Sequence, residues 1–464
     1  MKTKTCFASK MTILCLAYLV ALSGYATPSS AQKTVLNFGA AGDGVKDDWS
    51  ALQSALYAGG TVVLPPGRYR ITKSLFFSNG SSLVGSRDSV IVLDSPSIEI
   101  TGRDVKNVTV KGFSIERSTP GDNPALSFFD SSNIEIEDLY IANNRSLAPA
   151  ILIQGRFEGT TEETTSHTIN VQSTVIENYQ RVGIGGLGPG DNQGIFGTGI
   201  AVVFSKHFVI SDNIIIDRQG LLEPSEDFIN VQSAGINVIS SLYGTVTGNV
   251  IEWTGQGIDV GGGKQFLGQT TASGMRGSQW ITVSGNTIDN AYGVGIKLVN
   301  GASFNTITGN AINRAGLVGI WLTPGTDAGA TGTLVRGNVI SSNIVTNVGD
   351  GIGRFVWARP NSSRNSGIVI EPAEPPASAP TENIIVGNLI IDTQPEPTTT
   401  YGITNSGVFE YGHANFPKNN LVEANKAFGT ITASVALRTS ASTSDCRRAE
   451  TLSCAQQHHR SHSR

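Results

Sequence analysis

Val246-Thr247-Gly248-Asn249-Val250-Ile251 is followed along the chain by Val283-Ser284-Gly285-Asn286-Thr287-Ile288 and Ile307-Thr308-Gly309-Asn310-Ala311-Ile312. Then come Val335-Arg336-Gly337-Asn338-Val339-Ile340 and Ile385-Val386-Gly387-Asn388-Leu389-Ile390. Each copy reads apolar, any residue, Gly, Asn, any residue, Ile. Looser copies begin at Val110, Ile136, Val171 and Ile210. A second signature, Gly-Ile-x-apolar, lies between them at Gly199-Ile200, Gly235-Ile236, Gly257-Ile258, Gly295-Ile296, Gly319-Ile320 and Gly367-Ile368. The shortest spacings are 22 residues (235 to 257) and 24 (295 to 319, and Asn286 to Asn310), while spacings of 36 to 38 read as one turn plus an inserted loop.

A period in the low twenties, several short β-branched runs per period and almost no helical pattern predict an all-β, parallel β-helix solenoid. Strands stacked at about 4.8 Å pile inward Ile and Val into columns. Asn recurring at one turn position predicts a ladder of amide hydrogen bonds, and the Gly beside it permits the bend. Leucine-rich repeats have a similar length, but these copies carry Ile, Val and Gly-Asn rather than spaced Leu.

Composition excludes other classes. The 464 residues include 54 Gly without a three-residue period, so collagen is out. A 39% hydrophobic content and a net charge of only −4 exclude a disordered chain. No basic stripe suggests nucleic acid. Residues 1–31 read as a secretory signal, with Lys2, Lys4 and Lys10 before the apolar run Met11–Leu22. No later segment is long and apolar enough to span a membrane. The expected location is therefore extracellular or periplasmic. Cys6 and Cys15 fall in the leader, and Cys446 and Cys454 in a polar tail, 436–464, expected to be disordered. The body has no Cys, hence no disulfide and no Cys-based metal site.

Phe38-Gly39-Ala40-Ala41-Gly42-Asp43-Gly44-Val45-Lys46-Asp47-Asp48 leads into Trp49-Ser50-Ala51-Leu52-Gln53-Ser54-Ala55-Leu56, and Pro65-Pro66-Gly67 follows. This predicts a short helix, N-capped by Asp47 or Asp48, over the open end of the solenoid. The segment resembles the N-terminal cap of the pectate-lyase-like superfamily of right-handed parallel β-helix proteins. The resemblance implies residues 32–75 as cap and first strands and 76–435 as a right-handed β-helix. The superfamily includes polysaccharide lyases, glycoside hydrolases such as polygalacturonases, alginate C5-epimerases and phage tailspikes. Its catalytic sets do not carry over. The polygalacturonase Asn-Thr-Asp motif finds only Thr254-Gly255-Gln256-Gly257-Ile258-Asp259, and Gly295-Ile296-Lys297 keeps only Ile-Lys of Arg-Ile-Lys. The Asp-Pro-His-Glu run of alginate epimerases is absent.

Alternation along a strand places the x of Gly-Ile-x-apolar outward. Across coils x is Ala201, Asn237, Asp259, Lys297 and Trp321. These predict one external stripe in which Asp259 and Lys297 move protons or hold hydroxyls while Asn237 and Trp321 bind a sugar. Lys264, on an inserted loop, is a further candidate for substrate binding. A second outward stripe holds Glu177, Glu252, Asp289 and Asn313. Its two carboxylates, Glu252 and Asp289, suit acid–base hydrolysis. Either stripe could instead be a solvated surface ladder. His167 and His207 are weaker candidates, and Trp280 could pack beneath a loop or bind sugar.

The expectation is an enzyme that cleaves a polysaccharide, slightly favouring glycosidic hydrolysis or transfer by paired carboxylates. The alternatives are a polysaccharide lyase or uronate C5-epimerase, and a non-catalytic glycan-binding surface or matrix protein. No cofactor is required, although Ca²⁺ would suit a lyase or epimerase. The expected partner is a polysaccharide or oligosaccharide; the sequence does not set an oligomeric state.

Overall fold

The computed structural model describes residues 33–156, 163–180, 197–218, 233–262, 277–324, 334–349, 365–373, 378–405 and 415–437. The leader, the tail after 437 and Lys264 lie outside these residues. The chain winds into three parallel sheets of 13, 13 and 12 strands, in which every strand of a sheet pairs with its counterpart one coil away. This is the β-helix that the repeat demands. Val246, Val283, Ile307, Ile340 and Ile385 stack in the first sheet, and Ile251, Ile288, Ile312, Val345 and Ile390 in the second. Ile236, Ile258, Ile296, Ile320 and Ile368 stack in the third. All these columns belong to one buried core.

Two Asn ladders hold the corners, not one. Asn213, Asn249, Asn286, Asn310, Asn343, Asn388 and Asn425 join in series between the first and second sheets, each passing its amide to the next. Gly248, Gly285, Gly309 and Gly387 precede members of this ladder at φ 64–67°, so the glycine supplies a left-handed corner at no steric cost. Asn338 does not belong to it, although its Gly-Asn signature matches. It stands with Asn305, Asn383 and Asn420 at the corner that enters the first sheet. The place vacated is filled by Asn343, which follows Ser342 rather than Gly. The inserted loops shift the spacing, and the motif alone could not tell the two corners apart.

The Gly of Gly-Ile answers a different need. A Cβ on Gly295 would lie 2.5 Å from Ile312 Cγ2 and 2.6 Å from Gly319 O, and Gly235, Gly257, Gly319 and Gly367 are similarly crowded. Here the next coil passes too close for any side chain. Gly295→Ala is therefore expected to destabilise by about 1–3 kcal/mol through overpacking, read as a lower urea midpoint with unchanged slope.

The helix Trp49–Tyr57 covers the first coils, burying Leu52, Ala55 and Leu56. Asp48 occupies its N-cap position but makes no cap bond. Its carboxylate instead accepts the amides of Ala41 (2.7 Å) and Gly42 (2.9 Å), because the incoming loop folds back across it. Asp47 accepts the Trp49 amide (3.1 Å), and Asp43 those of Val45 and Lys46. All three are turn and cap carboxylates. Strands of the sheets begin at Lys33, and the first strands share residues 33–75 with the cap helix.

Candidate functional site

On the outer face of the third sheet, the register sets Ala201 beside Asn237, Asn237 beside Asp259, Asp259 beside Lys297, and Lys297 beside Trp321. Strand Gln256–Gly261 turns Ile258 and Val260 into the core, so the residue between them faces out. The column is nevertheless not a solvated ladder. Asn237 is 1% exposed, and Asp259 and Trp321 8% each. This sheet carries a second apolar layer on its outside. Leu152, Ala201, Val203, Phe204 and Ile239 form one cluster. Val294, Leu317, Val318, Trp321 and Val369 form another. The polar step Asn237–Asp259–Lys297 lies between them.

Within that step, Lys297 Nζ stands 3.6 Å from Asp259 Oδ2. The other oxygen, Oδ1, is buried and accepts no hydrogen bond among the described residues. Burial pushes the Asp259 carboxyl up, against the opposing pull of the neighbouring ammonium. Lys297 Nζ is also 5.8 Å from the centroid of the Trp321 ring, within cation–π range. The arrangement offers a carboxylate made more basic by desolvation, an adjacent cation and a flat apolar ring. Such a set can remove a proton from carbon and stabilise the resulting anion.

The second stripe lies elsewhere. Glu252 and Asp289 are neighbours in the second sheet, and Ile216 separates Glu252 from Glu177. Asp289 is tied into a surface network. Arg314 donates to it through Nη2 (2.6 Å) and Nε (3.1 Å), and the Nδ2 groups of Asn313 and Asn290 at 2.8 Å each. Four donors occupy its oxygens, which leaves it poorly placed to exchange a proton with substrate. The two stripes face away from different sheets and do not converge. The loop candidate Lys264 lies outside the described residues; Glu371, past the end of strand Ser366–Ile370, is buried.

Among the ionisable groups that escaped the sequence are the half-buried Glu99 and the buried Arg117. Glu99 is pushed up by burial and accepts the Ser127 hydroxyl at 2.7 Å, on the same outer face nearer the N-terminal end. Arg117, held down to about 10 by burial, donates to Asn144 Oδ1 and to the carbonyls of Ser95, Pro96, Ile98, Asn123 and Pro124. It staples two loops. Neither lies in a clear copy of the repeat, so no signal flagged them. Among the described residues no three His, Cys, Asp or Glu are grouped to hold a metal ion, and no helix is long and apolar enough to cross a membrane.

The family described as "Rhamnogalacturonase A/epimerase, pectate lyase-like" matches residues 33–320, and "Right handed beta helix region" matches 197–445. The chain belongs to this pectate lyase-like family. It is a β-helix of a carbohydrate-active kind. Among curated relatives, the mannuronan C5-epimerase AlgE6 of Azotobacter vinelandii is 35% identical over 117 residues, 24% of this chain and 12% of the relative. AlgE1 of the same organism is 33% identical over 132 residues, 27% of this chain and 9% of the relative. The matched stretch is thus a small part of each relative. Among solved structures, the AlgE6 A-module superposes with a TM-score of 0.57 at 17% identity, over 89% of this chain and 100% of that one. A mutant tailspike of Escherichia coli bacteriophage HK620, in complex with pentasaccharide, gives 0.56 at 12% identity, over 81% and 65%. These pectate lyase-like structures share the fold.

Proposed function

We propose that the chain modifies a uronate-containing polysaccharide by removing the proton from C5, as a C5-epimerase or a lyase. The observation that carries this reading is the buried Asp259–Lys297 pair, with one carboxylate oxygen that accepts no hydrogen bond among the described residues, in a family whose name includes epimerases and whose curated relatives here are mannuronan C5-epimerases. Paired-carboxylate hydrolysis, which the sequence slightly favours, fits less well, because Asp289, one of the two carboxylates, is locked by Arg314, Asn313 and Asn290. In the proposed step, Asp259 takes the C5 proton and Lys297 holds the uronate carboxylate, where the enolate-like charge develops. Trp321, buried with Val294, Leu317, Val318 and Val369, backs the Lys297 ammonium rather than facing the sugar. A proton delivered by water to the opposite face gives the epimer, and Asp259 then releases its proton to water; departure of the 4-oxygen, which takes the proton from Asp259 or water and becomes the hydroxyl of a new chain end, gives an unsaturated uronide.

Incubation with polymannuronate and polygalacturonate in D₂O tests this. Deuterium at C5, which marks epimerisation, or the ultraviolet absorbance of an unsaturated uronide, which marks elimination, is the expected result. New reducing ends with neither signal would establish hydrolysis and overturn the proposal.

A further inference from the structure

At the corner that enters the first sheet, one outward position carries Thr168, His207, Tyr243, Trp280, Phe304, Gly337, Glu382 and Asn419 on successive coils. All of them adopt left-handed backbone, φ 53–64°. Asn and Gly take this conformation readily, and bulky rings do not. Yet four consecutive coils place a ring there. Tyr243 is 41% and Trp280 49% exposed. The His207 and Tyr243 rings lie 5.6 Å apart, and those of Trp280 and Phe304 stack at 4.9 Å and 15°. The absence of a side chain at Gly337 leaves room for the Phe304 ring, which a Cβ would approach to 2.6 Å. Arg336, exposed and in no ion pair among the described residues, lies 5.5 Å from the Phe304 ring centroid. Thr282 and Thr306 stand two residues further on, on the outer face of the first sheet.

These rings occupy the same coils as the candidate site. Tyr243 follows Asn237 by 6 residues, Trp280 follows Asp259 by 21, across an inserted loop, and Phe304 follows Lys297 by 7. A stripe of exposed rings repeating at about 4.8 Å per coil is a platform for a ligand that is itself repetitive and has apolar faces. A pyranose chain has that chemistry: its C–H faces stack on rings, and its hydroxyls meet Thr282 and Thr306. A cation at one end suits a uronate carboxylate.

We infer that the corner Tyr243–Trp280–Phe304, with Arg336, is a second, non-catalytic glycan-binding surface, which holds an acidic polysaccharide chain running along the helix axis. The acidic class of ligand rests on the reaction proposed above; the stacking does not.

The test uses the full chain and retention on immobilised polymannuronate, polygalacturonate and hydroxyethyl cellulose. Gly337 shows that the corner accepts glycine, so Tyr243→Gly/Trp280→Gly removes the rings without forcing a new backbone. The double variant is expected to melt close to wild type, to lose at least tenfold in affinity for the long polyuronates, and to turn over a short oligouronate at an unchanged rate. Arg336→Gln is expected to weaken polyuronate binding and flatten its salt dependence. Wild-type retention by the double variant, with or without a lowered melting temperature, would make the rings a packing ladder and overturn the inference. Failure of wild type to bind any of the three would overturn it too. Binding that depends on the rings but ignores Arg336 and favours the neutral glucan would overturn the acidic ligand. Ring-dependent binding by a protein that exchanges no C5 proton would sink the proposed reaction and leave this surface standing.

Discussion

Asp259→Asn is expected to lower C5 proton exchange by about 10²- to 10⁴-fold, the usual contribution of a positioned general base. The amide keeps the shape of the carboxylate but cannot accept the proton. Lys297→Met is expected to impair the same reaction differently. It removes the cation that binds the uronate carboxylate, so KM rises as well as kcat falling. Turnover by Asp259→Asn within threefold of wild type would remove Asp259 from the chemistry. The pH profile adds a signature. Burial raises the Asp259 carboxyl above its ordinary value, and the base works only when ionised. Activity should therefore climb with pH through a value above that of an ordinary Asp, and that limb should vanish in the variant.

Stability should move the other way. A carboxyl whose pKa is higher in the folded chain favours folding most in its neutral form. Its contribution is complete below the ordinary carboxylate value and is lost as pH rises through the higher folded one. Removing Asp259 alone at neutral pH strands the Lys297 ammonium, whose side chain is 12% exposed; breaking a buried pair this way costs about 3–5 kcal/mol. Replacing both, as Asp259→Leu/Lys297→Met, is expected to leave stability unchanged or to raise it, because a well-packed apolar pair avoids the desolvation of two ions. A double variant that is stable but inert would show that the pair is kept for chemistry and not for the fold.

How much of this was legible depends on which physical rule each feature obeys. The alternation of side chains along a strand and the stacking of coils are strict, so the Gly-Ile-x-apolar copies alone put Asn237, Asp259, Lys297 and Trp321 in one column. The outer apolar layer follows no such rule. Val294, Leu317, Val318 and Val369 come from three coils and differ in position relative to the motif, so nothing in the linear pattern announced that the column would be buried. Corner geometry was equally hidden. The left-handed backbone at His207, Tyr243, Trp280 and Phe304 is imposed by the coil, against the preferences of those residues. Asn338 shows the limit from the other side: its local signature was complete, but register is decided by what lies on the neighbouring coil, and an inserted loop had moved it to the other ladder.

The Asn ladder supplies an equally large expected effect on stability. Asn310 accepts both the backbone amide (3.0 Å) and the side-chain amide (2.9 Å) of Asn286 on its Oδ1. Its own Nδ2 donates to Val283 O (3.0 Å) and to Asn343 Oδ1 (2.9 Å). All of these groups are buried, so Asn310→Ala strands at least two donors at about 1–3 kcal/mol each. The expected loss is roughly 3–5 kcal/mol, read from urea unfolding, whereas Thr308→Ala, whose half-buried hydroxyl accepts from Ser341 Oγ at 3.1 Å, should change little. Asn310→Asp separates the two halves of the bond set. It keeps the acceptor for Asn286 but places a carboxyl against Asn343 Oδ1 and the carbonyl of Val283. Only the neutral carboxyl can donate there, so its folded pKa is raised. Its stability should accordingly approach that of wild type in acid and fall as pH rises through that value. An Asn310→Ala variant within 1 kcal/mol of wild type would mean that the stacked Ile and Val columns hold the register and that the amides only decorate it. A loss of the expected size, localised by proteolysis to the coils around Asn310, would mean that the ladder keeps neighbouring coils in step, and with them Asp259 and Lys297.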